Sequence, residues 1–155
     1  MTGLDYYTIG DRQDFGDHTF TEEEIVAFAR KYDPQPFHLD HEAANGSVFG
    51  ALCASGWHTG AIWMRKNCEF RDKDIARHVA EGGVAPVHGP SPGLKNLTWH
   101  KPVFPGETIR FGSEVTGKRE LRSKPGWGVL ETRNFAETLD GKPVMTFDSA
   151  VLIKL

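Results

Sequence analysis

Two cysteines, Cys53 and Cys68, are all that this 155-residue chain holds. They form no Cys-x-x-Cys pair and are too few for a disulfide scaffold or a structural zinc site, so both are expected to be reduced. Long apolar runs are missing too. The longest mostly apolar stretch, Val48–Trp57, is interrupted by Gly and Ser and falls short of the ~20 residues that a bilayer span needs. The opening residues Asp5, Tyr6 and Tyr7 supply neither the basic start nor the apolar stretch of a signal peptide, which makes the cytoplasm the expected location. Nor is there an excess of positive charge. Eighteen Lys and Arg against 21 Asp and Glu give a net charge of -3. With no basic block to follow a phosphate backbone, neither a nucleic-acid nor a membrane partner is expected.

What is present suits one globular domain over residues 1–155. Composition is 39% hydrophobic and 25% charged, and a chain of this length buries roughly two thirds of its unfolded surface. Seventeen Gly and nine Pro are spread along the chain, marking turns rather than a low-complexity segment. Thr21-Glu22-Glu23-Glu24 is a capping box that starts a helix. Ile25, Phe28, Ala29 and Tyr32 form its apolar face, and Pro34 disfavours helical geometry at Asp33, stopping the helix near Tyr32. A second helix is expected from Gly56 to about Asn67, capped by Ser55. Trp57, Ala61, Met64 and Cys68, widened by Ile62 and Trp63, make it apolar around most of its surface, so burial is predicted.

The remainder reads as β-structure: a short strand, Leu94–Trp99, and three longer ones, Thr108–Glu120, Trp127–Leu139 and Lys142–Leu155. In the last, Met145, Phe147, Ser149, Val151, Ile153 and Leu155 share one face. Asp140-Gly141 signals a two-residue hairpin, and Pro125-Gly126 and Pro105-Gly106 mark further turns. Glu81–Gly93 reads as a long surface loop. The expected class is α+β, an antiparallel sheet wrapped around one helix.

Chemistry-bearing residues concentrate between Tyr32 and His58. Asp33 and His38 flank Pro34-Gln35-Pro36, whose fixed φ angles keep the intervening chain extended and stiff. A carboxylate and an imidazole held together can share one water as an acid and base pair. The same residues also read as an ordinary helix stop and a core histidine. Ser55-Gly56 opens the second helix, where free N–H groups and the dipole can stabilise developing negative charge; a simple cap with a packing glycine fits the same sequence. The histidines His38, His41, His58, His78, His88 and His100 show no convincing metal-ligand spacing, and no metal is expected. A Gly-x-Ser-x-Gly elbow is absent, which argues against serine-triad chemistry.

The run Asp33-x-Gln35-Pro36-Phe37-His38-Leu39-Asp40, with Gly56 eighteen residues after His38, resembles the motif of the MaoC-like dehydratases, which include the (R)-specific enoyl-CoA hydratases. Lys101-Pro102-Val103-Phe104-Pro105-Gly106-Glu107 is similar to the segment with which those proteins enter their sheet. The resemblance implies the hot-dog fold and reversible addition of water to a 2-enoyl thioester, with roles in fatty acid metabolism. It implies Asp33 and His38 as the catalytic pair, Gly56 as oxyanion donor, and Ser55 and Gln35 in support. Phe37, Phe49 and Trp57 would line the substrate site. It also implies an acyl-CoA or related thioester as small-molecule partner, no further cofactor, and a homodimer or dimer of dimers. A hot-dog thioesterase and a non-catalytic acyl-thioester-binding protein are the alternatives. Four positions depart from the family pattern. Gln35 stands where asparagine is usual, Ser55 where histidine is frequent, and Met64 near a serine that supports the aspartate. The Arg71–Gly93 stretch is longer than a minimal hydratase has.

Overall fold

The computed structural model describes residues 1–155. Five strands, β1 (Arg12–Thr19), β2 (Gly93–Trp99), β3 (Thr108–Glu120), β4 (Trp127–Thr138) and β5 (Pro143–Lys154), form one antiparallel sheet in the order β1-β3-β4-β5-β2. Three helices join them: α1 (Glu22–Tyr32), a five-residue α2 (His41–Asn45) and the long α3 (Gly56–Ala80). This is the hot-dog arrangement, with α3 lying across the curved sheet.

Period-two patterning decides which sheet face meets the helix. Ile109, Phe111, Ser113 and Val115 of β3 pair with Thr138, Ala136, Asn134 and Thr132 of β4. Met145, Phe147, Ser149, Val151 and Ile153 continue the same face on β5, as the alternation in sequence predicts. Against it packs a core containing Phe20, Ile25, Leu52, Trp63, Phe111 and Met145. Full burial of each such side chain contributes about 1.5–3 kcal/mol. A second, smaller cluster of Leu4, Tyr7, Val115, Leu130 and Ile153 closes the far end.

Four expectations need correction. First, α3 continues to Ala80 instead of ending near Asn67, so the first part of the Arg71–Gly93 stretch is helix and the part after Ala80 is loop. Beyond Asn67 the helix is carried by local ion pairs rather than an apolar stripe: Arg65–Glu69 at 3.0 Å, Lys66–Glu69 at 3.9 Å, and Arg77–Asp74. Phe70 adds a contact to Phe15, ring centroids 5.1 Å apart. Second, α3 is not buried around its circumference. His58, Thr59 and Trp63 are buried, whereas Trp57 is 59% and Met64 53% exposed.

Third, β1 was not expected, because Arg12–Thr19 offers one buried apolar residue, Phe15. It is an edge strand, and a bulge between Asp14 and Gly16 breaks its alternation. Gly16 has φ +92°, a value that side chains rarely adopt. Fourth, the Asp140-Gly141 hairpin turns through four residues between Thr138 and Pro143. Thr138 N–H donates to the Lys142 carbonyl at 2.9 Å and Gly141 N–H to the Thr138 carbonyl at 2.9 Å.

Candidate active site

Asp33 is positioned by the end of α1. The helix starts where the capping box predicts, with Thr21 Oγ1 accepting from Glu24 N–H at 3.2 Å, but the Glu24 carboxylate pairs with His18 Nε2 at 2.5 Å instead of reaching back to the cap. It ends when Asp33 N–H bonds the Ala29 carbonyl at 2.9 Å and the backbone leaves helical geometry at φ -150°, ψ 71°. Gln35 N–H then closes a turn on the Asp33 carbonyl at 2.8 Å, and Pro36 opens a single 3-10 turn through His38. The two prolines thus bring the imidazole back over the helix exit.

His38 Nε2 lies 3.4 Å from Asp33 Oδ2, with the imidazole side chain 7% and the carboxylate 15% exposed. On the other side of the ring, His38 Nδ1 is 2.6 Å from the Cys53 carbonyl. A carbonyl can only accept, so Nδ1 carries a proton and in the neutral ring Nε2 presents a lone pair toward Asp33. Cys53 N–H reaches the Phe37 carbonyl at 3.3 Å and Ala54 N–H the Val103 carbonyl at 2.8 Å. The loop before α3 is therefore laced to both the histidine segment and the turn that enters β3.

The carboxylate receives two further hydrogen bonds. Ser55 Oγ donates to Oδ2 at 2.7 Å and Gln35 Nε2 to Oδ1 at 2.7 Å. Burial pushes the Asp33 carboxyl up, but the bonds from Ser55 and Gln35 and the proximity of His38 outweigh it, leaving the group below its ordinary value. Asp33 is thus the ionised partner. With Met64 half exposed on the α3 surface, the hydroxyl that holds the aspartate comes from Ser55, a residue that is fully buried. The local sequence marks Ser55 as a cap and the family resemblance as a supporting residue; the cap is also present, since its Oγ accepts from Trp57 N–H at 3.2 Å.

Gly56 begins α3 beside this pair, and its N–H makes no hydrogen bond within the protein. Its second feature is invisible in the sequence: Trp99 of β2 lies against it, donating Nε1–H to the Gly56 carbonyl at 3.0 Å. A Cβ on residue 56 would come within 2.6 Å of Trp99 Nε1, so the indole alone requires glycine here. Phe37 and Phe49 flank the imidazole, with ring centroids 4.6 and 6.4 Å from it. Trp57 is not with them. It stands on the exposed side of α3, edge-on to Trp99 at 5.1 Å.

The remaining histidines are dispersed. His58 is buried with its ring stacked on Phe28 at 4.6 Å, His41 pairs with Glu22, and His100 meets Thr146 at 2.7 Å. No three His, Cys, Asp or Glu side chains converge as metal ligands, and no helix is long and apolar enough to cross a membrane.

The family model of the MaoC like domain matches residues 6–132, which includes the Asp33–His38 segment, α3 and most of the sheet. The chain belongs to the MaoC-like domain family. It is 29% identical over 157 residues to YdeM, an uncharacterized protein of Bacillus subtilis (strain 168), covering 97% of this chain and 98% of that one. Among solved structures, the MaoC-like dehydratase from Rhodospirillum rubrum superposes with a TM-score of 0.78 at 30% identity, covering 99% of this chain and 97% of the other. The R-hydratase PhaJ1 from Pseudomonas aeruginosa shares the fold, with a TM-score of 0.61 at 20% identity over 94% of this chain and 81% of its own. Both the family and the hot-dog architecture implied by the Asp33–His38 motif are thereby shown.

Proposed function

We propose that this MaoC-like protein is a hydro-lyase that adds water reversibly across the C2–C3 double bond of a 2-enoyl thioester. The observation that carries the reading is the approach of His38 Nε2 to 3.4 Å from Asp33 Oδ2, with Nδ1 donating to the Cys53 carbonyl so that both facing atoms can accept. Two acceptors so placed suit one water, which can donate a proton to each. In hydration the water oxygen bonds to C3, one water proton passes to the pair, and the pair returns a proton to C2 as the enolate collapses. Atoms balance without oxidation or reduction, so the step calls for no redox cofactor. The two groups titrate as a unit and the protons belong to the pair.

The free Gly56 N–H at the head of α3 is the donor for the thioester oxygen, where enolate charge develops. Removing one such donor typically costs about 3–4 kcal/mol of transition-state stabilisation. Phe37 and Phe49 wall the imidazole against bulk water, which strengthens the electrostatics inside. We further propose that two copies pair along β2. This strand lies at the sheet edge, and Trp57, Met64, Leu94 and Trp99 are exposed beside it.

The test is a panel of 2-enoyl-CoA chain lengths assayed for loss of enoyl absorbance, with the product's stereochemistry determined. Loss of the thioester in place of reversible hydration would identify a thioesterase. Binding without turnover of any member would identify a carrier.

A further inference from the structure

Between α3 and the sheet, past the aromatic contact of Trp63 with Phe147, lies a cavity of about 410 Å³. It separates the two apolar clusters of the core, and its floor is polar. Ser113 Oγ donates to Asn134 Oδ1 at 2.9 Å, Asn134 Nδ2 to Ser149 Oγ at 2.8 Å, and Thr132 Oγ1 lies 3.0 Å from Ser149 Oγ. These four residues cross three adjacent strands in the middle of a face that is otherwise mostly apolar. A buried polar band is costly unless hydrogen-bonded, and here its members bond one another, placing a polar strip on the floor of a largely apolar cavity.

Around the floor stand polar side chains with no close protein partner. Gln13 makes no side-chain hydrogen bond within the protein. Asn67 makes only a long contact to Met64 Sδ at 3.9 Å. Arg71 reaches no carboxylate closely. Its Nε is 3.8 Å from the exposed Asp72, and its Nη2 donates to Cys68 Sγ at 3.8 Å. Arg71 lines the cavity together with Tyr7 and His88; its charge partly offsets the burial that lifts the Tyr7 phenol to about 12 and adds to the burial that disfavours protonation of His88. The acid of the cavity, Asp74, is already taken by Tyr6 and Arg77. Tyr7 and His88 satisfy each other at 2.5 Å.

Helix α3 and strand β2 each have one end near the Asp33–His38 pair and the other at this cavity. Trp99 touches Gly56, while Leu94, at the other end of β2, lines the cavity with Met64 and Asn67. Helix residues 56–67 span about 17 Å at the usual rise, and the seam between α3 and β2 follows them, with β2 itself irregular between Lys95 and Thr98. The seam's walls, Met64, Leu97 and Leu94, are apolar.

Resting on the hydratase reading, we infer that the acyl group runs along this seam and that its far end, in the cavity, is a carboxylate held by Arg71 and Asn67. The substrate class is a carboxylate-ended 2-enoyl thioester, and Arg71 and Asn67 are specificity-determining residues. Matched pairs of 2-enoyl-CoA thioesters, methyl-ended or carboxylate-ended at equal chain length, test this with purified full-length protein. Wild type should show kcat/KM at least tenfold higher for the carboxylate-ended member at the best length. That ratio should fall at least tenfold in Arg71→Met and in Asn67→Leu, with Arg71→Lys recovering part of it.

A ratio near one, or one indifferent to both substitutions while hydration proceeds, overturns the inference and leaves the hydratase reading intact. Calorimetric binding of the saturated carboxylate-ended and methyl-ended acyl-CoA pair separates the two ideas from the other side. An Arg71-dependent preference in binding with no hydration of any thioester upholds the pocket and refutes the hydratase. Neither preference nor turnover refutes both.

Discussion

Ser55 Oγ donates to Asp33 Oδ2 at 2.7 Å while accepting from Trp57 N–H at 3.2 Å. One hydroxyl therefore fastens the carboxylate to the first turn of α3, so that the ionised acid and the helix N-terminus hold a fixed separation. This coupling makes Ser55 more than a cap. Ser55→Ala should lose about 1 kcal/mol of stability from the cap and, separately, let the Asp33 carboxyl rise toward its ordinary value. The acid limb of the kcat/KM profile should then move to higher pH. Gln35→Leu is the companion variant: it removes the Oδ1 bond without touching the helix and should shift the limb in the same direction. A profile unmoved in both variants would show that these bonds do not set the ionisation that matters.

Asp33→Asn and His38→Ala should each lower kcat by about 10²–10⁴-fold, the usual contribution of a general acid–base group. Both side chains lie at the edge of the core, so thermal melts should change far less than rate. Turnover within a few-fold of wild type in both variants would remove the pair from the chemistry and the hydratase reading with it.

The site was legible where chemistry is local and illegible where it depends on partners far along the chain. Asp33, Pro36 and His38 lie within six residues, so acid and imidazole were legible as neighbours, although the prolines suggested an extended segment where the chain makes a 3-10 turn. Gly56 and Ser55 were legible as a helix start for the same reason. What remained hidden were the partners: the Cys53 carbonyl that fixes the His38 tautomer, the Ser55 bond to Asp33, and Trp99 against Gly56. Each joins segments whose approach is set by the sheet, and a lone Trp in a short strand carries no signal of where its ring will lie. The α3 boundary failed differently. Apolar periodicity ends near Cys68, and the ion pairs that extend the helix have the composition of a solvated loop. Strand β1 escaped because an edge strand with a bulge has almost no alternation to read.

His58 is 4% exposed and packed between Phe28 and Phe20. Burial holds its imidazole below the ordinary value, partly offset by Glu24, with His18 also disfavouring charge. In the unfolded chain the same group titrates near ~6.5, so the unfolded state binds more protons below that pH. The stability contributed by neutral His58 is present above that range and lost as pH falls through it. Melting temperature should drop between pH 7.5 and pH 5, and His58→Phe should flatten part of that drop. His88, also lowered by burial, retains the rest. Identical slopes for wild type and variant in calorimetry would contradict this account.

Pairing along β2 predicts a homodimer at micromolar concentration. Sedimentation velocity should give a single dimer boundary, and Leu94→Lys, which places charge on the exposed edge, should shift it toward monomer. A monomer-only boundary for wild type would leave the exposed Trp57–Trp99 surface to some other use.

Gly56 admits two explanations that one experiment separates. Its lack of a side chain is required by Trp99, whose indole occupies the space of a Cβ. The proposed contact of its N–H with the thioester oxygen also requires an open approach to the backbone. Gly56→Ala in wild type should therefore lose stability, because Trp99 must move, and activity as well. In a Trp99→Leu background the stability loss from Gly56→Ala should shrink, since the rigid ring is gone; the two sites touch, and such neighbours are expected to be non-additive. If the N–H also serves the reaction, turnover should still fall when alanine is introduced into that background, measured on the same 2-enoyl thioester beside the melts. Should turnover become insensitive to Gly56→Ala once Trp99 is replaced, the glycine serves the indole alone, and the negative charge on the thioester must be met by another donor at the head of α3.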